Sequence, residues 1–262
     1  MDDSPVMIAS GDIAVDVEPT QGGRIGQITV SGTPLLVAHS DVFAGPLTWG
    51  AYPMVPWAGR IRNGTFEFRG RRYELPRNHG NHAMHGVGYV SEWEVAEHDA
   101  TSIRLTLQLP SDARWPFGGR VEQRFQVADD GVRLTMRVDA DDHAFPASFG
   151  WHPWFRKPDR LDFRPVAMYR RDDDHIALDE LVAVPPGPWD DCFVNDQPIG
   201  ITVDGVDLRF SSTSSCWVVY DEPEHATCVE PQTGPPDAAT IAPLVIEAGG
   251  SAALTARLDV IV

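Results

Sequence analysis

The stretch VEQRFQVADDGVRLTMRV (residues 121–138) decides the fold. Val132, Leu134, Met136 and Val138 alternate with Arg133, Thr135 and Arg137, the two-residue period of a strand with one face on a core. Val121, Gln123, Phe125 and Val127 carry the same period on the other side of Asp129-Asp130-Gly131. Asp-Gly supplies the positive φ that a tight reversal needs, so the stretch predicts an antiparallel hairpin.

Outward from this hairpin the pattern repeats. Ile103, Leu105, Leu107 and Leu109 alternate before it. Asp204-Gly205 separates Ile201 and Val203 from Val206, Leu208 and Phe210, and Arg69-Gly70-Arg71 separates Phe66 and Phe68 from Tyr73 and Leu75. Residues Cys216–Tyr220 and Leu254–Val262 also read as strands. No stretch of 12 residues carries a 3.6-residue apolar repeat, so no helices separate the strands as parallel units require. The prediction is an all-β, antiparallel β-sandwich forming one domain over residues 1–262, with a barrel as the alternative that periodicity leaves open.

Composition narrows the function. The chain has 262 residues, 42% of them apolar, with 23 Gly and 22 Pro. That is enough for a large core with many turns, and too apolar for disorder. There are 38 acidic residues against 21 basic, a net charge of −17, and every basic residue but Lys157 is an arginine. Nucleic acid and anionic membranes bind clustered positive charge, so neither is an expected partner. Lys157 lies in the polar run Arg156-Lys157-Pro158-Asp159-Arg160, not in the apolar pocket that Schiff-base chemistry favours. The three cysteines, Cys192, Cys216 and Cys228, are an odd number without CxxC spacing, which predicts a reducing, cytoplasmic setting. Met1-Asp2-Asp3-Ser4-Pro5 has no apolar segment of a signal peptide, and no apolar run approaches the 18 residues of a membrane span. Asn63-Gly64-Thr65 matches a glycosylation sequon and reads as a turn.

There is no GxSxG, HExxH, P-loop or EF-hand loop, and Gly86-Val87-Gly88 is half a dinucleotide fingerprint with no helix after it. Four loop-like segments carry the candidate chemistry. In Trp57-Ala58-Gly59-Arg60-Ile61-Arg62-Asn63-Gly64, a solvated turn competes with a guanidinium fork for hydroxyls or a carboxylate. In His79-Gly80-Asn81-His82-Ala83-Met84-His85-Gly86, three histidines spaced by three suggest a metal, but strand alternation points His79 and His82 oppositely, which favours a hydrogen-bonding loop. In Phe149-Gly150-Trp151-His152-Pro153-Trp154-Phe155, apolar neighbours desolvate a histidine able to exchange protons near neutral pH. The indole faces there suit stacking on the C–H face of a sugar. In Val229-Glu230-Pro231-Gln232-Thr233-Gly234-Pro235-Pro236-Asp237-Ala238, a carboxylate at the end of the strand-like run Ala226–Val229 is held on a stiff backbone and is a candidate base. Pro188-Trp189-Asp190-Asp191-Cys192-Phe193 adds two acids after a tryptophan.

Together these segments resemble the aldose 1-epimerase (galactose mutarotase) family. Gly59-Arg60-Ile61-Arg62-Asn63-Gly64-Thr65-Phe66 looks like the family's NRI turn, and Met84-His85-Gly86 like its Leu-His-Gly. Trp151-His152-Pro153-Trp154-Phe155 is similar to its H-x-Y-F segment, and Trp189-Asp190-Asp191-Cys192-Phe193 to its Y-D-H-x-F. Glu230-Pro231-Gln232 with Pro236-Asp237-Ala238 resembles its E-x-Q and P-D-A. The motifs occur in family order. Val87 and Arg156-Lys157 depart from the family's usual glycine and Asn-Leu.

The resemblance implies a large β-sandwich with a sugar in an open cleft. His152 matches the family's general acid and Glu230 its general base. Arg60, His85 and Asp190 match residues that hold sugar hydroxyls, with Trp154 beside them. It implies interconversion of the α and β anomers of a free aldohexose, with no cofactor and no metal. Three alternatives stay open. One is a hexose 6-phosphate epimerase, because Arg60, Arg62, Arg69, Arg71, Arg72 and Arg77 crowd 18 residues. The others are a non-catalytic carbohydrate-binding protein on the same scaffold, and a metal enzyme built on His79, His82 and His85.

Overall fold

The computed structural model describes residues 4–41 and 45–261. The acidic stretch Met1–Asp3 and the terminal Val262 lie outside the described residues.

Two large antiparallel sheets face each other. The larger runs, in spatial order, Val6–Ser10, Ile13–Glu18, Arg24–Val30, Ala51–Met54, Gly150–Arg156, Ala226–Gln232, Cys216–Tyr220, Asp190–Val194, Ala167–Arg171 and Ala177–Val182, with Thr33–Pro34 pairing off Arg24–Val30. The smaller has eight strands: Glu94–His98, Ser102–Gln108, Arg120–Ala128, Gly131–Asp139, Ser251–Val260, Val206–Ser212, Ile199–Val203 and Arg160–Asp162. Among the described residues the one α-helix is the four-residue turn Ala238–Ile241. No helix among the described residues is long and apolar enough to cross a membrane.

The hairpin that opened the reading is the centre of the smaller sheet. Val121 pairs with Val138 and Val127 with Val132, and Val121, Phe125, Val132, Leu134, Met136 and Val138 are all buried. Its turn differs from the expectation in one respect. Ala128 already pairs with Gly131, so Asp129 and Asp130 form the tip. Gly131 is required for another reason: at φ +153° a Cβ would lie 2.2 Å from the Leu258 carbonyl oxygen on the next strand. The other two hairpins have the expected positive φ at both tip residues, Asp204 (46°) with Gly205 (79°) and Arg69 (52°) with Gly70 (73°).

The core lies between the sheets. Trp151, Phe155, Trp217 and Val229 of the larger sheet pack with Phe125, Leu134, Phe210 and Leu258 of the smaller. Strand alternation therefore sends the residues between them, His152, Trp154, Val218, Cys228 and Glu230, to the outer face of the larger sheet. That face is covered as well. Every residue of Ala226–Gln232, and all of Gly150–Arg156 except Arg156, is buried. His152 thus sits in mid-strand rather than in the loop-like segment expected from sequence, and Glu230 lies within its strand rather than at its end.

Candidate active site

The register of five strands builds the site. Gly150 faces Gln232 and Trp154 faces Cys228, so the same register sets His152 against Glu230. His152 also faces Tyr52, Glu230 faces Val218, Cys228 faces Tyr220, and Tyr220 faces Asp190. These side chains line or underlie one cavity of about 330 Å³, at the small end of the range for small-molecule sites. A groove of about 450 Å³ around Phe68, Arg69 and Phe117 is larger but holds no pair of convergent buried acids and bases.

At the cavity floor His152 Nε2 lies 3.1 Å from Glu230 Oε1, with both side chains almost wholly buried. Gln232 Nε2 donates to the other carboxylate oxygen at 2.9 Å. Burial raises the Glu230 carboxyl well above its ordinary value, and the charge of Asp190 adds to this. Burial lowers His152 to about 3. Both shifts have one cause, since an apolar enclosure disfavours either group as an ion. Each group is thereby harder to ionise, and the short contact lets one proton pass between the two residues.

Aromatic rings hold His152 in place. Tyr52 stacks on it at a centroid distance of 4.6 Å and Trp154 at 5.4 Å, while His85 meets it edge-on at 5.3 Å. Beneath Tyr52 lies Arg24, fully buried, donating to the Gln21, Trp49 and Tyr89 carbonyls and set over the Trp49 ring at 4.3 Å. Burial lowers this guanidinium to about 10.

Two loops stand over the floor. Gly59 has φ +68°, where a Cβ would meet Pro236 at 2.8 Å, and Arg60–Ile61 pairs with Ala83–Met84. His85 itself has φ +61°. Its Nδ1 accepts from the Gly59 backbone N–H at 3.2 Å, so its Nε2 is the N–H donor left for the cavity. Burial and the nearby His152 keep this ring neutral, well below the usual histidine value. Arg60 reaches along the rim and donates to the His175 carbonyl at 3.2 Å.

The third wall is polar. Arg171 Nε lies 3.1 Å from Asp191 Oδ1 and its NH1 donates to the Asp190 carbonyl at 2.8 Å. His175 Nδ1 lies 3.1 Å from Asp190 Oδ2.

All six residues singled out from sequence, His152, Glu230, Arg60, His85, Asp190 and Trp154, line this one cavity. The three-histidine metal cluster does not form. His79 and His82 bridge each other through their backbones. His82 Nδ1 accepts from the Asn63 N–H and His85 Nδ1 from that of Gly59, so both Nδ1 atoms are spent on loop contacts. Of the six crowded arginines, only Arg60 lines the cavity. Arg62 pairs with Asp172 at 2.6 Å, Arg69 with Glu247 at 2.6 Å and Arg77 with Glu74 at 3.8 Å.

Sequence reasoning missed Tyr52, Tyr169, Arg171 and His175. Arg170-Arg171-Asp172-Asp173-Asp174-His175 reads as a solvated charge run, and nothing in it distinguishes the two residues that turn inward. Gln232 was inside a quoted motif, and its position two residues after Glu230 on a strand was the available signal.

A family model for aldose 1-epimerase matches residues 9–244. Among curated proteins, the chain is 31% identical over 152 residues to the uncharacterized protein YphB of Escherichia coli (strain K12), covering 56% of this chain and 50% of that protein. It is 32% identical over 114 residues to YihR of the same strain, covering 43% and 36%. The chain thus spans half or less of the length of the curated relatives it matches. Among solved structures, the aldose epimerase homologue of C. elegans superposes with a TM-score of 0.84 at 16% identity, over 98% of both chains. The galactose 1-epimerase of Lactobacillus acidophilus gives 0.83 at 14%, over 98% of this chain and 94% of that one. At these identities the superpositions establish a shared fold.

Proposed function

The chain belongs to the aldose 1-epimerase family, and from that premise we propose that it interconverts the α and β anomers of a free aldohexose in the cytoplasm. The observation that carries this reading is the buried contact between His152 Nε2 and Glu230 Oε1. Anomer exchange is a proton relay. With the shared proton on His152, the Glu230 carboxylate takes the proton of the C1 hydroxyl, the C1–O5 bond breaks as the C1 carbonyl forms, and the His152 imidazolium gives its proton to O5. Rotation about C1–C2 presents the other face, and reclosure reverses both transfers. No proton is consumed, so a pair holding one exchangeable proton suffices. Each member of such a pair typically contributes about 10²–10⁴-fold.

The rest of the cavity serves the same reaction. A bound sugar brings hydroxyls, and Arg60 and the His85 Nε2–H stabilise oxygen charge as it develops. Trp154, stacked on both His152 and His225, lines the cavity beside the sugar, and Asp190 accepts from hydroxyls. A neutral sugar fits the charge balance: the cavity sets two arginines, Arg60 and Arg171, against two aspartates, Asp190 and Asp191, and Arg171 is held by both aspartates. A binding protein without activity has no need of a buried acid and base in contact.

The test is polarimetry of freshly dissolved α-anomers over a panel of aldoses and their 6-phosphates. The chain should accelerate mutarotation of at least one neutral aldose. A strong preference for a 6-phosphate, or acceleration of none, contradicts the proposal.

A further inference from the structure

Cys228 brings a third ligating atom to the dyad. It lies two residues before Glu230 on the same strand, so its thiol emerges on the same face as the carboxylate, and it sits diagonally across the ladder from His152. One donor atom each from His152, Cys228 and Glu230 lies within 4.8 Å of the other two, and all three residues are buried. His152 Nδ1 has no hydrogen-bond partner among the described residues. The proton relay uses only the other ring nitrogen and leaves the thiol idle.

We propose that His152, Cys228 and Glu230 form a site for one divalent cation of the zinc class, and that the metal shuts the enzyme off by occupying the acid and the base. The second half of this rests on the acid/base reading above. A nitrogen, a sulfur and an oxygen are the donor types that zinc and cobalt accept, whereas calcium and magnesium take oxygen alone. Around tetrahedral zinc, with bonds of about 2.0–2.3 Å, donors stand roughly 3.3–3.6 Å apart. The His152–Glu230 contact is already 3.1 Å, so closure asks mainly for an approach of the thiol. Charge agrees: a thiolate, a carboxylate and a neutral imidazole balance a divalent ion, and the enclosure by Tyr52, Trp154 and Val218 favours a site with no net charge. Binding sends the thiol proton and the proton shared by the dyad to bulk water. Three protein ligands leave the fourth position facing the cavity. Metal and sugar then compete for the same two groups.

The other two thiols supply a control. Cys192 and Cys216 have their sulfurs 3.5 Å apart, but neither belongs to this three-residue group.

The experiment titrates the full chain with Co²⁺ and follows the near-ultraviolet thiolate-to-cobalt charge-transfer band, then measures mutarotation against Zn²⁺. The wild type should bind one Co²⁺ with that band, and Zn²⁺ should displace it and inhibit competitively with sugar. Cys228→Ser, or Cys228→Ala where serine impairs folding, should lose the band and raise the inhibitory Zn²⁺ concentration at least tenfold. Its metal-free rate should stay within a few-fold of wild type. Cys216→Ser should keep the band. A wild type without the band, a Cys228 variant that retains it, or a Cys216 variant that loses it overturns the site. A wild type that binds the metal yet catalyses no mutarotation leaves the site standing and overturns the functional reading instead.

Discussion

Glu230 shows what one buried residue does to both chemistry and stability. Its carboxyl titrates above its unfolded value because the enclosure and the Asp190 charge disfavour the ion. A group with a raised folded pKa lends the fold stability below its unfolded value, near 4.3, and loses it as pH rises through the folded value. Above that, the native state holds an unfavourable buried carboxylate. Glu230→Gln removes it, and the amide can still accept from Gln232 and donate to His152 Nε2. Thermal unfolding should therefore show the variant gaining on the wild type as pH rises from 5 to 8. A gap that stays constant or narrows over that window contradicts a raised Glu230. At this scale the sequence was informative where a reactive residue stood among aromatics, as His152 does. It was silent on Tyr52, because a tyrosine in a strand has no motif, and on Arg24, whose carbonyl partners come together only in three dimensions.

Strand elements were legible where one face met the core and the other met water. The hairpin over 121–138 and the Asp204-Gly205 reversal read directly from alternation. The strand that carries His152 was not, and the one that carries Glu230 was read only over 226–229, because both their faces are covered and no alternation survives. What covers them depends on backbone conformation. Gly86 sits at φ +71° where a Cβ would lie 2.0 Å from the Val55 carbonyl oxygen, whereas Gly70, at φ +73°, faces open space. Alanine at Gly70 should cost about 1 kcal/mol, the penalty of a left-handed φ alone. Alanine at Gly86 adds a clash with fixed backbone and should cost at least ~2 kcal/mol. It should also lower the mutarotation rate, because His85 is its neighbour. Chemical denaturation of the two variants measures the difference, and equal destabilisation would refute this account of the loop.

For the whole molecule, the net charge of −17 and the dispersed arginines tell one story. The six arginines that are close in sequence do not share one site: Arg60 lines the cavity, Arg69 and Arg71 a separate groove and Arg62 and Arg72 another, and three of the six meet acidic partners. Arg60→Ala should lower kcat/KM at least tenfold. Arg69→Ser and Arg71→Ser, on the separate groove, should leave it within twofold. A larger effect of the groove pair than of Arg60 would revive an anionic substrate. The central claim is that His152 and Glu230 act as one acid/base unit. The most direct measurement is mutarotation by His152→Ala, Glu230→Gln and the double variant, each shown to be folded. The account predicts a loss of about 10²–10⁴-fold in each single variant and little further loss in the double, as for groups that act together. Folded single variants that keep the wild-type rate within tenfold would contradict it.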